Sequence, residues 1–193
     1  MKRFIFNLFV LLSVAMVATS CGKDDEFNPD DQNADEIHFD ADRKILVAYF
    51  SATGNTQSLA SQIVSATGAD VFRIEAAEPY ASNPYDDSQR IQNESYNNLR
   101  PGVATLPADV EDYDVIFVGS PIWWHNPAMV VCTFLEGYGL SGKIVVPFFT
   151  YGSTSYLQQS IDKIYEVTPQ SRHLATYTGG SVENWLRSIH IIE

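Results

Sequence analysis

Tyr49-Phe50-Ser51-Ala52-Thr53-Gly54-Asn55-Thr56 joins an apolar run to a helical pattern, and the rest of the chain can be placed from it. Ile45 to Phe50 is continuously hydrophobic, as a strand buried on both faces requires. The helix that follows carries Leu59, Ala60, Ile63 and Val64 on one face. Between them lies a hydroxyl-rich loop around Gly54. Strand, loop and helix N-terminus together form an anion site, because unpaired N–H groups and the positive end of the helix dipole point above the loop. Ser51, Thr53 and Thr56 can donate to phosphate oxygens, and Gly54 lets the backbone come close. No Lys or Arg lies within the loop, so its donors are neutral. An ordinary N-capped helix after a strand would share much of this pattern.

Further strand–loop–helix units follow in order. Gly68 closes the first helix, and Ala69 to Glu75 alternates as a strand. Pro79 to Pro101 is rich in Tyr, Asn, Asp and Ser, with a short helix expected around residues 86–97. Two readings of this segment stand: it lies over a ligand and shapes a pocket, or it covers the sheet edge. Tyr113 to Gly119 is a third strand, followed by the loop Ser120-Pro121-Ile122-Trp123-Trp124-His125-Asn126-Pro127. The helix from Ala128 repeats apolar residues through Val131, Cys132 and Leu135, which makes Cys132 a packed core thiol. Lys143 to Phe149 is a fourth strand. Its Pro147 lacks a ladder donor and is expected at a bulge or near the strand end. The loop Thr150 to Ser155, a helix with Leu157, Ile161 and Ile164, a fifth strand from Arg172 to Thr178 and a last helix with Val182, Trp185, Leu186 and Ile189 complete the chain. Such alternation implies parallel strands with right-handed crossovers, and all three polar loops at one edge of the sheet. Ligands of such folds bind outside the carboxyl ends of the strands.

Composition narrows the functions. Twelve basic side chains, two of them at Lys2 and Arg3, stand against 24 acidic ones in 193 residues, for a net charge of −12. Such a chain is a poor nucleic-acid binder and is repelled by an anionic membrane surface. Cys21 and Cys132 are too few for a disulfide framework or a cysteine metal site, and His38, His173 and His190 show no metal spacing.

The first twenty residues read as a targeting segment. Met1-Lys2-Arg3 is a basic start, Phe4 to Val17 is nearly all apolar, and Ala18-Thr19-Ser20 precede Cys21. This resembles a bacterial lipoprotein signal peptide, with Cys21 as the acylated N-terminus and Ala18 where that motif more often has Leu or Val. A plain signal peptide that happens to contain a cysteine is the alternative. The expected organisation is a signal peptide over 1–20, a lipidated cysteine and flexible acidic tether over 21–43, and a folded domain over 44–193. The tether would reach about 25 Å as a flexible coil. The protein is therefore expected to be exported and lipid-anchored, on the periplasmic side or at the cell surface, touching the membrane only through its lipid.

Rival phosphate sites on this architecture are missing. There is no G-x-x-x-x-G-K-[ST], no G-x-S-x-G, and no G-x-G-x-x-G that follows a strand and opens a helix, as a dinucleotide fingerprint must; the run Gly137 to Gly142 has that spacing but follows a helix and precedes a strand. Cys132 has no arginine five or six residues on, and the first strand ends in Tyr49-Phe50 without the carboxylates a magnesium site needs. What remains is a neutral cradle beside two tryptophans and a tyrosine, suited to a ligand with an anionic end and a large flat apolar end.

With these residues in place, the chain resembles flavodoxin-like FMN proteins, through Ser51 to Thr56 and through Pro121-Ile122-Trp123-Trp124, which marks a narrower branch. The likeness runs from about Lys44 to Leu186. It implies a three-layer α/β/α sandwich with a five-stranded parallel sheet in the order 2-1-3-4-5, and FMN as cofactor. By position, Ser51, Ala52, Thr53, Gly54, Asn55 and Thr56 would hold the FMN phosphate. Pro121, Ile122, Trp123, Trp124, His125 and Asn126 would flank the isoalloxazine, with either tryptophan on the ring. Thr150, Tyr151, Gly152 and Ser153 would pass its other side. His125 stands where relatives often have glycine, and is either a proton donor or a solvent-facing loop residue. Gly152 stands alone where relatives tend to have a glycine pair. The implied function is electron transfer, or reduction of a small acceptor such as a quinone, with a redox protein or quinone-like molecule as partner. A non-catalytic surface binding module on the same scaffold is the competing class.

Overall fold

The computed structural model describes residues 43–193, so the expected signal peptide, Cys21 and all but the last residue of the tether lie outside the described residues. The sheet is built from β1 (Ile45–Tyr49), β2 (Asp70–Arg73), β3 (Val115–Trp123), β5 (Ile144–Thr150) and β6 (Arg172–His173), hydrogen-bonded in the order β2-β1-β3-β5-β6. Counted along the main path this is the expected 2-1-3-4-5 order, and every pairing in it is parallel. A sixth strand, β4 (Asn126–Pro127), was not foreseen. It folds back antiparallel on the end of β3, pairing Trp123 with Asn126.

Period-two alternation in the strands sends successive side chains to opposite layers. Leu46, Ala48, Ile116, Val118, Val145 and Phe149 join one buried cluster with Phe134 of α3 (Met129–Glu136) and Ile164 of α4 (Leu157–Val167). Val47, Tyr49, Val115, Phe117, Val146 and Phe148 join the other, with Ile63 of α1 (Asn55–Thr67) and Trp185 and Leu186 of α5 (Val182–Ser188). The three-layer sandwich follows. Cys132 is fully buried in α3, and burial pushes its thiol up to about 12. It is chemically a core residue.

Two elements differ from expectation. Pro147 sits in mid-strand, opposite Val118, rather than at a bulge or strand end. The amides of Arg172 and Leu174 donate to the carbonyls of Lys143 and Val145, so alternate residues of β5 turn their polar groups toward β6. Pro147 continues that set, and its missing N–H falls where β6 has already ended and before the bridge between Phe148 and Tyr177. This also explains why the fifth strand, expected over 172–178, pairs continuously only at Arg172 and His173.

The Pro79–Pro101 segment holds α2 (Ser88–Tyr96), which buries Ile91, Glu94 and Ser95 on one face. Arg90 and the Tyr80 hydroxyl both bond Glu94, at 2.8 and 2.7 Å, and the Arg90 guanidinium lies 4.1 Å over the Tyr80 ring. At the end of the segment Arg100 makes a two-pronged pair with Glu136 of α3, at 2.6 and 2.8 Å. Just beyond, Val103 bridges Ala76, extending past the β2 edge.

Candidate functional site

A cleft of about 880 Å³ opens at the carboxyl ends of β1, β3 and β5. That is within the range of about 300–1,000 Å³ typical of small-molecule sites. Its walls include Ala52, Thr53, Asn55 and Thr56 after β1, Pro121 to His125 around the end of β3, and Thr150 to Ser153 at the end of β5. The fold therefore brings the three sequence-marked loops to one place.

The first loop is shaped locally. Gly54 is left-handed at φ 89°, and a Cβ there would meet nothing within 4 Å. Its N–H donates to the Ser51 hydroxyl at 3.1 Å. The first intrahelical bond of α1 is from Ser58 N–H to the Gly54 carbonyl, so the N–H groups of Asn55, Thr56 and Gln57 precede the ladder. No side chain caps this end and no acidic residue occupies the first turn. Helices normally satisfy these donors with a capping oxygen or a carboxylate. This one leaves them beside a cleft, which fits an anionic group. Thr56 and Thr150 are joined through their hydroxyls at 2.8 Å, linking the first loop to the end of β5.

The second loop is the β3–β4 hairpin, and its two tryptophans have different surroundings. Trp123 is wedged edge-on against Phe50 and Tyr80, with centroids 5.2 and 5.3 Å away. Trp124 stays 37% exposed. Its carbonyl accepts from the Ser95 hydroxyl at 2.7 Å, and Ser95 accepts from Asn126 Nδ2 at 2.9 Å. The His125 ring stacks on Tyr156 with centroids 3.7 Å apart. Burial, reinforced by Glu94, pushes the Tyr80 hydroxyl well above its ordinary range, so it remains a donor.

Ser51, Gly54 and Asn126 are not on the cleft wall; the other sequence-marked residues are. Ser51 and Asn126 are buried and act within their loops. Sequence reasoning missed several contributors, among them Leu59 and Phe149 on the wall. Tyr156 lies on a 3₁₀ turn after the third loop, and Tyr177 and Gly179 follow β6. The strand-end rule that located the first three loops applies equally to β6 and could have found the last two. Arg73, at the end of β2, donates to the Ser51 carbonyl at 3.1 Å, so a cation does reach the neutral loop, from a neighbouring strand. The insertion adds Asn83, Pro84, Tyr85, Ser88 and Ile91 to the wall. Of its two readings, the structure supports the pocket-lining one; the bridge from Ala76 to Val103 at the sheet edge belongs to the residues flanking the segment. Among the described residues, no Lys, Arg, Asp or Glu lines the cleft.

The family model for flavodoxin matches residues 44–185. An inferred flavoprotein of known crystal structure from Bacteroides eggerthii DSM 20697 is 35% identical, with a TM-score of 0.70 over 77% of this chain and 98% of that one. A flavoprotein from Lactobacillus acidophilus NCFM, solved in complex with FMN, shares the fold at 23% identity and TM-score 0.60, over 69% of this chain and 91% of that one. An NAD(P)H dehydrogenase (quinone) of Azorhizobium caulinodans is 31% identical over 117 residues, 54% of this chain and 55% of the relative. The chain thus spans about half the length of the curated relatives it matches.

Proposed function

Because this chain belongs to the flavodoxin family, we propose that its cleft binds FMN and that the protein is an FMN-dependent oxidoreductase, passing electrons between a redox partner and a quinone-like acceptor. One observation carries the reading: an α1 N-terminus with neither cap nor acidic first turn opens on the same cleft as Trp123 and Tyr151, whose walls hold no charged side chain among the described residues. The donors suit a phosphate monoester, and the aromatic walls suit a flat ring.

The N–H groups of Asn55 to Gln57 and the Thr53 hydroxyl would hold the phosphate, with Thr56 and Thr150 keeping the two loops in register. Trp123, fixed by Phe50 and Tyr80, would flank the ring on one side, and the backbone of Thr150 to Ser153 would line the other. Bound FMN supplies the redox chemistry; the chain supplies orientation, water exclusion and the electrostatics around it. The relatedness to a quinone dehydrogenase supports an oxidoreductase role.

We further propose that the protein works outside the cytoplasm, anchored through Cys21. The support is the basic, apolar and small-residue order of residues 1–21. An acylated Cys21 in the mass spectrum of membrane-extracted protein is the expected result, and a soluble form with an unmodified N-terminus would refute it.

The cofactor reading is tested by purifying the full chain, adding FMN and following flavin fluorescence. Saturable one-to-one binding is expected, with riboflavin bound more weakly because it lacks the phosphate. A cleft that takes an ordinary anion but no flavin would sink the proposal.

A further inference from the structure

The turn between β3 and β4 carries backbone strain that most hairpins avoid. Two-residue loops with both central residues at positive φ favour Asn-Gly or Gly-Gly, because left-handed backbone crowds a Cβ. Here those positions are Trp124 (φ 46°) and His125 (φ 75°), between the paired residues Trp123 and Asn126. Such strain persists where surrounding contacts over-determine it, and it gathers at ligand sites.

Those contacts are present and come from remote elements. Ser95 of α2 donates to the Trp124 carbonyl at 2.7 Å, and Ser160 of α4 donates to the His125 carbonyl at 3.4 Å. Tyr156 stacks on the His125 ring, and Tyr96 sits edge-on to Trp124 at 5.8 Å. The strained pair places two rings on the cleft wall, where glycine would place none. Beside them are Pro84, Tyr85 and Ile91 of the insertion, Tyr85 being 87% exposed. Trp123, by contrast, is committed to Phe50 and Tyr80. The neighbouring tryptophans therefore have separate tasks.

We infer that the Trp124–His125 turn is the specificity determinant for the second ligand of this cleft, a planar uncharged ring of the quinone class. The inference rests on the FMN reading above and names what binds beside it. The two residues are retained in a strained backbone for the rings they present. An anionic ring would leave water for walls holding no Lys or Arg among the described residues, on a chain of net charge −12. The uncharged ring loses little on entry and gains aromatic contact.

The test titrates the full chain, with and without FMN, with 2-methyl-1,4-naphthoquinone and with a sulfonated anthraquinone, reading protein and flavin fluorescence. The uncharged quinone is expected to bind at least about tenfold more tightly. Trp124→Asn tolerates the left-handed backbone but removes the ring. It should lower quinone affinity about tenfold and leave FMN affinity within about twofold. His125→Ala and His125→Gly both delete the imidazole and differ only in the Cβ. Both should weaken quinone binding, and the glycine variant should melt about 3 °C higher than the alanine variant. Equal affinity for the two quinones, unchanged quinone binding in Trp124→Asn, or equal melting of the two His125 variants overturns the inference. So does a parallel loss of FMN affinity, which would assign the turn to the flavin. A wild-type chain that takes no FMN refutes the cofactor reading instead, and the quinone series on that same chain still reports on the turn.

Discussion

The loop after β1 and the turn at the end of β3 border one cleft but are built in opposite ways. In the first, Gly54 takes the left-handed position without crowding, and the loop closes on itself through Ser51, three residues away. In the second, Trp124 and His125 take left-handed positions with full side chains, and the bonds holding them come from 29 and 35 residues away. The anion side is thus mainly a local structure in a relaxed backbone, to which Arg73 and Thr150 add one remote contact each. The ring side is a strained structure assembled by the tertiary fold. Local sites survive as long as their strand and helix do, whereas assembled ones depend on every remote clamp.

The largest test separates the two adjacent tryptophans. Trp123→Ala removes one corner of the Phe50–Tyr80–Trp123 triad, and should destabilise the domain by about 2–3 kcal/mol, at or below the lower end of the roughly 3–5 kcal/mol of large aromatic deletions because the ring is only partly buried. Trp124→Ala removes an exposed ring with one edge contact and should cost about 1 kcal/mol or less. Urea unfolding of the two variants measures the gap. Equal losses would mean that Trp124 is as structural as its neighbour, and the division between fixed wall and presented ring would fail.

A smaller effect is expected on the anion side. Among the described residues it is Arg73 that brings a cation to the first loop, and its bond to the Ser51 carbonyl both holds the loop and lends it positive charge. The side chain is about half exposed and also lies 3.8 Å from Glu75, so its influence is screened. Arg73→Met should weaken FMN about fivefold, corresponding to ~1 kcal/mol. Riboflavin binding should be unaffected and Arg73→Lys should restore part of the loss. Calorimetric titration with both flavins decides it. An equal loss for riboflavin would make Arg73 a brace for the loop alone.

The same contrast explains what was readable in the sequence. Parallel strands, both helical layers and the first loop come from apolar runs alternating with helical periodicity and from a glycine at the required position, signals that lie within a few residues of each other, whereas the strand order comes from the family resemblance. The β4 strand was not readable, because Asn126-Pro127 is too short to show alternation and its hairpin lacks the usual Asn-Gly. Nor was the role of Ser95, whose hydroxyl meets Trp124 only once the insertion has folded back. Asn126 looked like a ligand contact because it follows the aromatic loop; its amide is instead occupied by Ser95. Arg73 was invisible for a similar reason: strand pairing sets Tyr49 beside it, bringing its guanidinium to a loop that contains no cation.

The smallest effect probes the assembled side through acid. The insertion ends at Arg100, whose guanidinium grips Glu136 at the end of α3 and, by that hydrogen bond chiefly and against some desolvation, holds its carboxyl below the usual 4.5. Above pH 4.5 the carboxylate is ionised in both folded and unfolded chains, and the pair contributes fully. As pH falls below that value the unfolded chain takes up the proton first, so the contribution declines, and it is lost once pH passes below the folded pKa. Glu136 is 40% exposed, which keeps the contribution under about 1 kcal/mol. Acidification from pH 6 to 3.5 should therefore lower the amide protection factors, with intrinsic exchange rates divided out, in residues 88–99 more than in residues 58–64 of α1. Arg100→Gln should remove the part of that difference due to the pair, because the chief group holding the folded carboxyl down is then gone. If the variant keeps the full difference, the acid sensitivity of the insertion lies elsewhere and Arg100 is not one of the clamps behind the turn.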